Sequence, residues 1–106
     1  MASEHIYKQF DSDLEAIRAK VLEMGTLVEE QTANAVKSLL NTDIKLAEAV
    51  MKRDVQINDL EMVIDEETSL LIAKRSPAAG DLRNIMMMLK IITDLERMGD
   101  EAAKIA

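Results

Sequence analysis

The chain has 106 residues, of which 48% are hydrophobic and 31% charged, so it can bury one core of its own but not two. Its net charge of −7 argues against binding nucleic acid, anionic lipid or free phosphate unaided, because each would be repelled. It has no cysteine, which excludes disulfides and thiolate metal sites. With neither a signal peptide nor a run of about 20 apolar residues, we expect a cytoplasmic protein without direct membrane insertion.

The first predicted element is a helix over residues 12–40. Apolar residues recur there at steps of four and three, which is the pattern of a helix seam, and Gln31 interrupts the seam once. The segment Asn41, Thr42 and Asp43 then forms a turn signal, and either Thr42 or Asp43 could cap the next helix. This break is short.

Two further helices follow in chain order. Residues 43–75 carry apolar residues every seven positions, and Pro77 and Gly80 then interrupt the pattern before a third helix over 81–106, capped by Asp81. Short connections place consecutive helices antiparallel, so the predicted fold class is all-α, a long antiparallel three-helix bundle forming a single domain over 1–106. We expect the run Met86 to Met88 to pack in the core. The other predicted core residues are Leu14, Ile17, Val21, Val50, Ile57, Ile64, Leu71, Ile85, Leu89 and Ile92.

Carboxylates lie in or beside the seams of the second and third helices. Glu61 and Asp65 are four residues apart, as are Glu96 and Asp100, so each pair stacks on one helix face. An antiparallel hairpin that turns near residue 78 brings the two pairs to the same level. Four like charges at that level repel by about 1 to 4 kcal/mol per close contact, and a hard, oxygen-preferring cation would relieve this repulsion. The alternative is that these acids turn to solvent and are balanced by neighbours such as Arg97.

The residues also resemble a known family. The string Arg75-Ser-Pro-Ala-Ala-Gly-Asp-Leu-Arg83, followed by Asp94-Leu-Glu-Arg-Met-Gly-Asp100, looks like the PhoU family of bacterial phosphate transport regulators. The resemblance also includes His5, Met24-Gly25, and Asp54 and Asn58 with Glu61 to Asp65. PhoU proteins are built from two similar three-helix repeats, and this chain resembles the first. We therefore expect it to be part of a longer protein, with apolar surface that favours a homo-oligomer.

The resemblance also implies a site and its ligand. The family carries two acidic motifs on adjacent helices, and by position these are Glu61-Met-Val-Ile-Asp65 and Glu96-Arg-Met-Gly-Asp100. Family members have been seen with iron or other metals there, so the expected cofactor is a divalent or ferric ion, with iron, zinc, manganese and magnesium not distinguished. We expect three residues to surround these ligands: Asp54, Asn58 and Arg97.

Two functional classes follow. By resemblance, the chain is a negative regulator of phosphate uptake and starvation signalling, an adaptor between the ATPase of the phosphate ABC transporter and the sensor histidine kinase of a two-component system. The alternative is a plain acidic helical interaction domain without a metal or phosphate role. We do not expect an enzyme, because the sequence has no glycine-rich phosphate loop and no nucleophile with a base, and His5 is its only histidine.

Overall fold

The computed structural model describes the backbone of residues 2–75 and 79–106 and the side chains of residues 8–74 and 79–106. These residues form three helices, α1 (Ala2–Asn41), α2 (Ile44–Arg75) and α3 (Ala79–Ile105), which all pack against one another. The predicted all-α three-helix bundle is confirmed. The proline break predicted at Pro77 lies outside the described residues, as does the side chain of His5.

Two predicted helix starts are wrong. Helix α1 begins at Ala2 instead of residue 12, because helix-favouring residues precede Phe10, which is buried and extends the seam. Helix α3 begins at Ala79, so Asp81 lies inside the first turn instead of capping it. A carboxylate there still favours the helix, since it faces the positive end of the helix dipole.

The turn between α1 and α2 shows which residue caps α2. Asp43 accepts a hydrogen bond at Oδ1 from the Leu46 backbone N–H at 3.0 Å, as expected of the residue before a helix. Its own N–H donates to the Ser38 carbonyl at 2.9 Å, which closes the end of α1. Thr42, between them, has a φ of 52°, in the left-handed region that a β-branched residue disfavours.

The bundle is a rod of about 60 × 18 × 16 Å. Its radius of gyration is 16.9 Å, against about 13 Å for a compact domain of this length. Such a shape has a thin core and a large surface, and many large apolar side chains stay exposed. No helix in the described part of the chain is long and apolar enough to cross a membrane.

The core follows the predicted seams with some corrections. The central contacts come from fully buried side chains such as Met24, Ile57, Ile64 and Ile85. Val21 and Leu89, predicted as core, are only partly buried and pack against the edge of the cluster. The prediction for the methionine run is wrong for two of its three members, because Met88 is buried whereas Met86 and Met87 are exposed. Three residues in succession point about 100° apart around a helix, so one face cannot bury all of them.

Ion pairs reinforce the contact between α1 and α2. Lys20 pairs with Glu67, and Arg53 pairs with Glu30 at 2.5 Å. Both pairs are partly exposed, so each contributes at most about 1 kcal/mol to stability. Lys20 belongs to α1 and Arg53 to α2, so each helix supplies one cation and one acid to this contact. The edge of α2 that faces α3 carries carboxylates.

An acidic cluster between α2 and α3

The side chains of interest occupy gaps in the apolar seam of α2. Its buried residues recur every seven positions, from Val50 through Ile57 to Ile64. A helix seam needs a further residue between successive members, and those places hold Asp54 and Glu61, which are half-buried on the edge facing α3. The sequence therefore places two carboxylates where a typical bundle would place apolar side chains.

Helix α3 brings its own acids to the same level. Its buried residues Ile92 and Gly99 point into the bundle, and Glu96 and Asp100 lie beside them, also half-buried. Asp100 shares hydrogen bonds with the side chains of both Glu96 and Asp54. Glu61 lies within electrostatic range of Asp100 and Glu96. We name the four carboxylates the acidic cluster: Asp54, Glu61, Glu96 and Asp100.

Within the cluster the pKa values of three carboxyl groups are raised and that of the fourth is lowered. The hydrogen bond with Asp100, assisted by burial and by the charges nearby, raises the pKa of Glu96 to about 7. Burial, with the hydrogen bond to Asp100, raises the pKa of Asp54, and burial, with the charges of Asp65 and Asp100, raises that of Glu61. The hydrogen bond from Glu96 lowers the pKa of Asp100, and Asp54 and Lys104 act in the same direction. Asp100 is therefore the anion of the cluster and accepts hydrogen bonds from the protonated carboxyl groups of its neighbours.

The structure changes the membership of the predicted site. It brings together three of the predicted ligands, Glu61, Glu96 and Asp100, but the side chain of Asp65 is exposed and affects Glu61 only through its charge. Asp54, predicted only to surround the ligands, is a full member through its hydrogen bond to Asp100.

The other two residues predicted to surround the ligands behave differently from each other. Asn58 is half-buried between Asp54 and Glu61 in sequence, and its Oδ1 is buried without a hydrogen-bond partner. Arg97 is exposed. The cation that helps to lower the pKa of Asp100 is Lys104, one turn beyond it on α3.

Sequence reasoning missed the contribution of α1. Gln31 is fully buried, and its Nε2 donates hydrogen bonds to Asp54 Oδ1 at 3.0 Å and to the Gly99 carbonyl at 2.8 Å. The interruption of the α1 seam at Gln31 was the available signal. Gly99 itself makes room for this contact, because a Cβ there would lie 3.3 Å from Asp54 Oδ1 and 3.5 Å from Ile57. One amide therefore joins all three helices beside the cluster.

The ligand atoms of the site are of the kind that a hard cation prefers, but their positions do not form a coordination site. Gln31 Oε1, Asn58 Oδ1 and Glu61 Oε2 are buried oxygen atoms without hydrogen-bond partners, and carboxylate and amide oxygens are ligands for hard cations. Among the described side chains, those of residues 8–74 and 79–106, however, no three acidic or histidine side chains are arranged so as to hold a metal ion. Binding a cation here would require side chains of the cluster to turn towards a common point.

Comparisons with known proteins agree on one family. The family model described as the PhoU domain matches residues 21–106. A Burkholderia protein named phosphate-specific transport system accessory protein PhoU homolog is 51% identical over 106 residues. The Escherichia coli (strain K12) protein named phosphate-specific transport system accessory protein PhoU is 45% identical over 103 residues.

A solved structure agrees in fold. The crystal structure of PhoU from Pseudomonas aeruginosa superposes with a TM-score of 0.88 at 48% identity and covers 91% of this chain. The matched region is less than half of each of these proteins: 46% of the P. aeruginosa protein, 45% of the Burkholderia relative and 43% of the E. coli relative. In the other direction, the match covers 100% of this chain for the Burkholderia relative and 97% for the E. coli relative. That this chain is one of two repeats stays a prediction.

Proposed function

The chain belongs to the PhoU domain family, and on that premise we propose that it is a non-catalytic regulatory module of phosphate-specific transport. The observation that carries the proposal is the match of the PhoU domain model to residues 21–106, with relatives that are named accessory proteins of that transport system. The acidic surface supports a regulatory role, since a net charge of −7 disfavours capture of free phosphate by this chain.

Within this proposal the module is a cytoplasmic adaptor that contacts the ATPase of the phosphate ABC transporter and the sensor histidine kinase. An adaptor needs accessible apolar surface, and α3 carries a stripe of it. Exposed apolar residues recur along one side of this helix: Met87, Ile91, Met98 and Ile105. Their exposed fractions range from 42% to 62%. Such a stripe also supports self-association into a homo-oligomer.

The test measures binding of the 106-residue chain to the purified ATPase subunit and to the cytoplasmic part of the kinase. Surface-immobilised chain should bind at least one of them, and Met87→Ser should weaken that binding, because it removes an apolar contact from the α3 stripe. Met62→Ser is the matched control, since Met62 is 69% exposed against 62% for Met87 but lies on α2. An absence of binding to both proteins would refute the adaptor role.

The second part of the proposal is that the acidic cluster, with Asp65 beside it, binds a divalent or ferric cation. Its support is the combination of crowded carboxylates and three buried oxygen atoms that lack hydrogen-bond donors. The pKa of Glu96 is raised chiefly by its hydrogen bond with Asp100 and that of Glu61 chiefly by burial, and a bound cation would neutralise the neighbouring negative charges that add to both shifts. The chain's own part is to supply oxygen ligands from two helices that the bundle holds at one level.

One observation favours the alternative of a plain acidic interaction domain. No group of three ligating side chains is gathered in the described residues, so a preformed metal site is absent from that part of the chain. Isothermal titration of chelator-treated protein with Mn²⁺ separates the two proposals. Saturable binding that Glu96→Gln with Asp100→Asn abolishes would support the cation site. Equal binding by both proteins, or none, would leave the plain interaction domain.

A further inference from the structure

Gln31 is a polar residue at a position where the seam of α1 calls for an apolar one. Met24 and Val28 precede it and Ala35 follows it in the seam, and all of them are buried, as Gln31 is. Its carboxamide lies beside the acidic cluster and not at the surface. A buried amide at the centre of a bundle is unfavourable for folding unless its hydrogen bonds are made.

Both N–H bonds of the Gln31 amide are used across helices. Nε2 donates to Asp54 Oδ1 on α2 at 3.0 Å and to the Gly99 carbonyl on α3 at 2.8 Å. The Gly99 carbonyl can only accept a hydrogen bond, and a carboxylate also accepts, so the NH₂ group must face this way. The orientation of the amide therefore follows from its partners.

We propose that Gln31 is a positioning residue, which holds the Asp54 carboxylate in one rotamer against Asp100 and so sets the geometry of the acidic cluster. The Asp54 carboxylate packs against the α3 backbone at Gly99, which has no Cβ to obstruct it. Without the amide, Asp54 loses its donor from α1 and is free to take other χ1 rotamers. The positioning role stands on this geometry, whereas its consequence for cation binding rests on the proposed function.

A second buried polar residue provides a matched control. Thr68 is also fully buried in a seam, but its Oγ1 donates at 2.6 Å to the Ile64 carbonyl within its own helix. Replacing Thr68 by Val removes a buried hydrogen bond without touching the connection between helices. If burial of a polar group were all that mattered, the two positions would respond alike.

The first experiment is independent of metal. In chelator-treated, isotope-labelled protein, NMR three-bond couplings report the χ1 rotamer of Asp54. Gln31→Leu, which restores an apolar seam, should move these couplings to rotamer-averaged values, whereas Thr68→Val should leave them unchanged. Gln31→Met has nearly the size of Gln and should give the same result should the leucine variant fold poorly. Asp54 couplings that are unchanged in a folded Gln31 variant would overturn the proposal.

The second experiment asks whether Gln31 acts through Asp54 in cation binding. Gln31→Leu should weaken Mn²⁺ binding by about 10-fold or more, as is typical when a partner that orients a ligand is lost. In an Asp54→Ala background the same substitution should change the affinity less than about 2-fold, because the acceptor that Gln31 positions is gone. Equal losses in both backgrounds, or no loss in either, would overturn the proposal. If the unaltered chain binds no Mn²⁺, the cation site fails and the rotamer couplings alone decide the role of Gln31.

Discussion

Replacing Glu96 by Gln should stabilise the metal-free protein at alkaline pH. The hydrogen bond with Asp100 raises the pKa of Glu96 from 4.5 to about 7, so above that pH the folded state holds an extra charge beside Asp100. Glutamine carries no charge at any pH, and its side-chain N–H can donate to Asp100 as protonated Glu96 does. The substitution therefore keeps the hydrogen bond and removes the repulsion.

The sign of the pH dependence follows from where the proton is held. Below pH 4.5 Glu96 is protonated in both states, and between 4.5 and about 7 the folded state keeps a proton that the unfolded state has lost. The stability that this proton provides is present at low pH and is lost as pH rises through 7. The raised pKa values of Asp54 and Glu61 act in the same direction, whereas the lowered pKa of Asp100 provides stability that is lost at acidic pH.

Solvent screening limits how much Glu96→Gln can stabilise the protein. A pKa raised from 4.5 to about 7 corresponds at face value to about 3 kcal/mol, at about 1.4 kcal/mol for each pH unit. Glu96 is only half-buried, so screening reduces this, and we expect about 1 kcal/mol. For a domain of this size that is a rise in Tm of roughly 4 °C or more.

The assay is thermal unfolding by circular dichroism in EDTA, from pH 4.5 to 8.5. The Tm of Glu96→Gln should exceed that of the unaltered protein at pH 8 and converge with it near pH 4.5. Glu48→Gln is the control, because Glu48 is exposed on α2, and it makes the same change in net charge. His5, the only histidine, is present in every variant. The reasoning would be refuted if the curves of Tm against pH were parallel for Glu96→Gln and Glu48→Gln. It would also be refuted if Glu96→Gln were less stable than the unaltered protein by more than about 1 kcal/mol at pH 8.

Three further predictions concern the backbone and can be checked by urea unfolding. Thr42→Gly should raise the free energy of unfolding by about 1 kcal/mol, since glycine relieves the φ of 52°; no gain would show that this φ is unstrained. Asp43→Ala should lower it by about 1 kcal/mol through loss of the cap to Leu46, and an unchanged value would argue against that cap. Gly25→Ala should raise it by about 0.5–1 kcal/mol, because nothing lies within 4 Å of the new methyl group, whereas Gly99→Ala should gain less or lose stability against Asp54. Equal gains at both glycines would contradict the close approach at Gly99.

The helix count, the class of fold and most of the core follow from periodicity along the sequence. Ile57, Ile64 and Ile92 are buried as predicted, because an apolar repeat near 3.5 residues specifies one helix face whatever packs against it. The helix ends follow from periodicity only in part. The start of α1 at Ala2 was missed, although Ile6 lies four residues before Phe10 and continues the apolar repeat towards the start of the helix.

The acidic cluster could be predicted only in part. Spacing identified Glu61, Glu96 and Asp100, since carboxylates four residues apart share a face and antiparallel helices set their level. Spacing could not show that Asp54 joins the cluster while Asp65 stays exposed. Helical periodicity puts Asp54 and Asp65 on nearly the same side of α2, so the pattern alone does not separate them.

Only the tertiary structure decided that question. Gly99 lies across from Asp54 and has no side chain, so the Asp54 carboxylate fits below the α3 backbone, where the amide of Gln31 reaches it from α1. The sequence showed that Gln31 breaks an apolar seam, but not which groups it contacts, because these lie 23 and 68 residues away along the chain. A local pattern determines which face of a helix is buried. The partners of a polar group on that face depend on the rotation and separation of all three helices, which are properties of the packed bundle.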